Sequence, residues 1–151
     1  MKKIVIALFS MLVLVACNDD DPIYVNPDES ALWINKALTV GANQWKLEGG
    51  KDQLGSYYYA DFAIPELTDF VVDNGAVILY FQNPEESRVK NAMPYVLHKG
   101  EFDDYGDRYY WTQTYDYEFW PGHVRVFCTY SDFLTGVDSP DRQTFHLVAI
   151  Y

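Results

Sequence analysis

Two carboxylates, Asp116 and Glu118, stand two positions apart within the run Arg108–Trp120. In an extended chain such a pair shares one face, about 7 Å apart at ~3.3 Å per residue. That is within the separation a glycoside hydrolase asks of its two acids. Any i, i+2 pair meets the spacing, so it points to a small hydrolase acting on glycans only where a cleft surrounds it. Asp103, Asp104 and Asp107 gather around Gly106, and Asp132, Asp138 and Asp141 fill a second polar stretch. Oxygen-rich loops can take Ca²⁺, but neither set has the EF-hand spacing, and solvated turn acids are the simpler reading. His98, His123 and His146 lie far apart and lack zinc-site spacing. No glycine-rich phosphate loop, nucleophile elbow or Cys/His pair is present. The sequence therefore predicts no catalytic centre, no metal site and no cofactor.

Aromatic side chains offer a different chemistry. The chain holds thirteen Tyr, nine Phe and four Trp. Tyr and Trp combine a large flat contact area with a polar handle, which suits them to binding surfaces and to stacking on sugar rings. Tyr58, Tyr110 and Trp120 fall in the less apolar phase of their segments and are expected to face solvent as a ligand-binding set. A single exposed aromatic is ordinary, so the expectation rests on the three acting together.

The elements that must position these residues are mostly strands. Gln44–Glu48, Ser56–Ile64, Ala76–Gln82, Met93–His98, Arg108–Trp120, His123–Tyr130 and Thr144–Tyr151 read as strands, separated by turn residues. Arg108–Trp120 alternates cleanly, with Tyr109, Trp111, Tyr115, Tyr117 and Phe119 in one phase and Tyr110, Thr112, Thr114, Asp116 and Glu118 in the other. Ala76–Gln82 is apolar in both phases and predicts a central strand covered on both faces. Lys99–Asp107 reads as a turn. Pro65–Gly75 is the one helix-like stretch, with Leu67, Phe70 and Val71 at i, i+3, i+4 spacing and Pro65 suited to the first turn. About seven strands and one short helical insert predict an all-β, antiparallel β-sandwich of Ig-like architecture. A small β-barrel is the second choice.

The N-terminal end reads as an address. Lys2 and Lys3 precede the twelve-residue apolar run Ile4–Val15. A helix of that length reaches ~18 Å, short of a ~30 Å hydrocarbon core, and fits a signal peptide instead. Leu14-Val15-Ala16-Cys17 resembles the bacterial lipobox, which implies cleavage after Ala16 and lipidation of Cys17. Two or three acyl chains at ~0.8 kcal/mol per buried CH₂ anchor stably where one does not. Residues 1–16 are then the signal peptide, 17–30 the lipidated Cys and a flexible acidic tether, and 31–151 the β domain. Loss of Lys2 and Lys3 takes the net charge from −11 to −13, which argues against nucleic acid as a partner. With Cys17 acylated, Cys128 has no disulfide partner and is expected to be a buried strand residue.

Asn18-Asp19-Asp20-Asp21, directly after that cysteine, is similar to the surface-export signal of Bacteroidetes lipoproteins. Trp45-Lys46-Leu47, Tyr57-Tyr58-Tyr59, Pro65-Glu66-Leu67-Thr68, Asp73-Asn74-Gly75-Ala76-Val77, Met93-Pro94-Tyr95 and Tyr130-Ser131-Asp132 together resemble small Bacteroidetes surface lipoproteins of uncharacterised function. The resemblance implies an exported outer-membrane lipoprotein at the cell surface and carries no activity with it. The expected function is non-catalytic binding of a glycan or an envelope protein. A structural envelope component and a small glycan hydrolase are the alternatives.

Overall fold

The computed structural model describes residues 33–102, 105–136 and 139–151. They fall within one compact unit, Ala31–Tyr151. The signal segment, Cys17 and the acidic tether lie outside the described residues, as do Asp103, Asp104 and Asp138. Nine strands are seen: β1 (Trp33–Val40), β2 (Lys46–Glu48), β3 (Tyr57–Ala63), β4 (Ala76–Gln82), β5 (Lys90–Ala92), β6 (Tyr95–Phe102), β7 (Arg108–Trp120), β8 (His123–Tyr130) and β9 (Gln143–Ile150). Among the described residues one α-helix, α1 (Asp69–Asn74), joins β3 to β4, and a 3₁₀ turn, Ala42–Gln44, precedes β2.

All pairings are antiparallel. One sheet has the order β1-β9-β4-β5 and the other β2-β3-β8-β7-β6. Both sheets are open, so the barrel alternative does not hold and the molecule is an all-β sandwich. The inner faces meet over an aromatic centre: Phe81 stacks on Tyr95 at 4.6 Å and tilts against Tyr115 at 5.0 Å, and Phe145 stands edge-on to Trp45 at 6.4 Å. Offset and edge arrangements suit the ring quadrupoles. Leu79, Phe81, Phe145 and Leu147 of one sheet and Val124, Val126 and Cys128 of the other are fully enclosed. The Tyr117 hydroxyl donates across the layers to the Val77 carbonyl at 3.0 Å.

Four details differ from the sequence expectation. First, β5 and β1 lie outside the seven expected strands. Ile34, Leu38 and Val40 point inward, but Lys36 shares their phase and breaks the period-two pattern. Its stem follows the inner face and its ammonium reaches Glu66 at 2.6 Å. Second, α1 begins at Asp69, after the Thr68 hydroxyl accepts from the Val71 amide at 3.3 Å. Pro65 stays outside it, Leu67 precedes the cap, and Phe70 faces water at 63% exposure. The i, i+3, i+4 stripe fails because its first member is not helical. Third, β6 runs on to Phe102, because the long β7 gives Lys99–Phe102 partners in Arg108–Trp111.

Fourth, β4 is interior to its sheet but covered on one face only. Val77, Leu79 and Phe81 are buried, whereas Ile78 and Tyr80 are half-exposed on the outer face. That face continues in register across the sheet. Its rows are Trp33–Ile150–Ala76, Asn35–Val148–Ile78 and Ala37–His146–Tyr80–Ala92. An antiparallel sheet with one wet face ordinarily turns polar residues outward. These rows contain no carboxylate.

Candidate functional site

The outer face of the five-stranded sheet follows from its register. Trp120 pairs with His123 and Glu118 with Arg125, which pairs in turn with Asp61. Asp116 pairs with Phe127, which pairs with Tyr59, and Tyr59 with Lys46. Four aromatic rings, of Tyr57, Tyr59, Phe127 and Trp120, thus stand on the solvent side, each half-buried. Tyr57 meets Phe127 at 5.8 Å in a T-shaped contact and Tyr59 at 6.4 Å. Trp120 stacks on His123 at 5.5 Å.

Arg125 sets the spacing of this row. Its Nε donates to Asp61 at 2.7 Å and its Nη2 to the other carboxylate oxygen at 3.3 Å, a two-point contact. Its Nη1 lies 3.6 Å from Glu118. The same guanidinium lies 4.4 Å from the Tyr59 ring centre and 5.8 Å from that of Trp120, at cation–π range. The hydrogen bond to Asp61 raises the Arg125 pKa above its ordinary value, against an opposing effect of burial. Two carboxylates fix the cation, and the cation fixes the rings on either side of it.

The row leads to an overhanging ribbon. β8 ends at Tyr130, opposite Gln113, and Ser131 still bonds Thr112, so Arg108–Trp111 of β7 pair with β6 alone. On the outer side Tyr110 is 70% exposed and lies across Gly100. Arg108 covers the Phe102 ring at 4.9 Å and donates to the Tyr110 hydroxyl at 3.4 Å. On the inner side Tyr109 stacks on Trp111 at 5.1 Å, with 19° between the planes, and donates to Glu101 at 3.2 Å. Two shallow clefts share Tyr110 as a wall. One, of about 340 Å³, runs between His98, Phe102 and Arg108, and the other, of about 390 Å³, is bounded by Lys99, Trp111 and Ser131.

The three aromatics expected to bind do not stay together. Tyr110 and Trp120 are on the outer face, 110 exposed and 120 half-buried. Tyr58 is a correction: it is 9% exposed, its ring packs on Tyr130 at 6.0 Å, and its hydroxyl donates to the Thr135 carbonyl. Three consecutive tyrosines give no contrast by which to choose a phase. The charge on Asp61, in phase with Tyr57 and Tyr59, is the signal that turns those two outward and Tyr58 inward.

Asp116 accepts from the Tyr117 amide at 2.8 Å and Glu118 leans on Arg125. Neither lines one of the two ribbon clefts or a third cleft of about 280 Å³ beside Gln82 and Arg142. Among the described residues no three His, Cys, Asp or Glu side chains gather as a metal set. His98 and His123 lie on the outer face just described and His146 on the opposite sheet. Asp107 and Asp141 are described, but Asp103, Asp104 and Asp138 are not. Asp141 holds Lys99 at 3.4 Å. Cys128 is fully enclosed, and burial pushes its thiol up to about 12, so it is not a nucleophile at neutral pH. Comparison with family models, with curated proteins and with solved structures finds no match to this chain.

Proposed function

We propose that this protein is a membrane-anchored, cell-surface lipoprotein that binds a glycan, without catalysis, along the outer face of its five-stranded sheet. The lipobox ending at Cys17, the acidic Asn18–Asp21 segment and the likeness to small Bacteroidetes surface lipoproteins support the address. One observation carries the ligand class: the aromatic row Tyr57, Tyr59, Phe127 and Trp120, held apart by Arg125 and continued by the exposed Tyr110. Flat rings pre-set on a rigid sheet suit stacking against the apolar faces of pyranose rings, and little ordering entropy is lost on contact. Asp61, Glu118 and the Tyr110 hydroxyl supply polar partners at the edge of the row.

The test is titration of the full chain with neutral and acidic polysaccharides, followed by intrinsic tryptophan fluorescence. Saturable change with one polysaccharide class, weakened in Trp120→Ala, supports the reading. An unchanged signal with every polysaccharide, together with crosslinking of the outer face to an envelope protein on intact cells, replaces the glycan with a protein ligand.

A further inference from the structure

We infer that the glycan ends in a sugar bearing a single carboxylate, a terminal uronic acid, and that Arg108 in the outer ribbon cleft reads that carboxylate. The inference rests on the glycan reading and adds to it the charge of the sugar.

The pairing of the other cations leaves one open. The five-stranded sheet holds four Lys and Arg side chains, Lys46, Lys99, Arg108 and Arg125. Lys46 and Arg125 share Asp61, Arg125 also meets Glu118, and Lys99 is held by Asp141. Arg108 pairs with no carboxylate among the described residues. Aromatic groups place it instead: its guanidinium covers the Phe102 ring at 4.9 Å, and its Nη1 donates to the Tyr110 hydroxyl at 3.4 Å. A ring contact steadies the guanidinium plane and leaves most of its N–H fork unused. That fork matches a carboxylate at two points.

The surroundings select both the sign and the number of charges. In the outer phase of the ribbon, along Tyr95–Phe102 and Arg108–Thr114, there is no Asp or Glu. Glu101 belongs to the inner phase, where it accepts from Tyr109. The cleft beside Arg108, about 340 Å³, is at the small end of ligand sites and suits the end of a chain. Tyr110, 70% exposed at its wall, offers a plane for the same sugar to stack on. A polyanion would be repelled along its length by a protein of net charge −11. A single carboxylate in contact with Arg108 meets the local cation, while salt at ~0.15 M screens charges beyond about 8 Å.

The experiment titrates the full chain, by ligand-observed NMR at ~0.15 M salt, with sugar pairs that differ in one carboxylate: methyl glucuronide with methyl glucoside, and methyl galacturonide with methyl galactoside. The expected result is a uronide preference of about fivefold or more in one pair, the size of a partly exposed ion pair. It should fall to less than about twofold in Arg108→Gln. Arg142→Gln, which removes the same charge from the opposite sheet's side of the molecule, should keep it. Equal affinity for acidic and neutral sugars overturns this inference and leaves the glycan reading standing. So does a uronide preference that survives in Arg108→Gln or is lost equally in Arg142→Gln. Absence of saturable binding to any sugar or polysaccharide overturns both.

Discussion

The Tyr110 ring lies against Gly100 on the neighbouring strand, so close that a Cβ on Gly100 would stand 2.8 Å from the ring's Cδ1. Glycine in a strand forgoes packing, and here the vacated space holds an aromatic plane flat on the ribbon. Gly100→Ala lifts that plane. Because the ring is exposed, stability should change by no more than about 0.5 kcal/mol, read by urea unfolding. Affinity for the bound glycan should fall several-fold. A fall in stability with affinity intact would show that the ring is a strand filler only.

Arg125 is the strut of the aromatic row. Arg125→Ala should lower stability by about 1 kcal/mol, because the ion pairs are partly exposed and the ring contacts are individually weak. The larger effect should be on geometry, with loss of order at Trp120 and Tyr59, seen in near-ultraviolet circular dichroism. Arg125→Lys should not restore it, since a point charge cannot make the two-point contact with Asp61.

The core is a separate matter from the row. Phe81 is 1% exposed and packs on Tyr95, Tyr115 and Phe145. Phe81→Ala should cost about 3–5 kcal/mol by the loss of transfer energy and the cavity left behind. Denaturant midpoints check this against Phe70→Ala, which removes an exposed ring and should be nearly neutral.

Alkaline pH should destabilise the fold through buried groups. Burial raises Cys128 from an ordinary value near 9 to about 12 and raises Tyr115 and Tyr130 as well. A raised folded pKa stabilises fully below the unfolded value and is lost as pH rises through the folded one. Stability should therefore be level up to about pH 9 and decline from there toward 12. Cys128→Ala should remove the part of that slope nearest pH 9. A thiol reagent at pH 8 should label native Cys128 only at the rate of unfolding.

Much of this arrangement is legible in the sequence where one phase of a strand is clearly apolar. β7, β8 and β9 alternate cleanly, so Tyr110 and Trp120 could be placed outward and Cys128 inward from pattern alone. β1 was hidden by Lys36, whose charge sits 30 residues in sequence from the Glu66 that satisfies it. Tyr58 was misplaced because its neighbours are also tyrosine. The charge of Asp61 two positions beyond Tyr59 separates the two phases, and the register with β8 agrees, with Tyr58 opposite Cys128 and Asp61 opposite Arg125. Gly100 under Tyr110 and Arg125 between two rings are cross-strand relationships, which no single segment encodes.

The most direct measurement is the dissociation constant of the full chain for its polysaccharide ligand, compared among wild type, Tyr110→Ala, Trp120→Ala and Tyr58→Phe. The account predicts a loss of about tenfold or more, ~1.4 kcal/mol, for each outer-face variant. It predicts no more than a twofold change for Tyr58→Phe, whose hydroxyl is enclosed. Absence of saturable binding to any polysaccharide, or equal affinity in all four proteins, would contradict it.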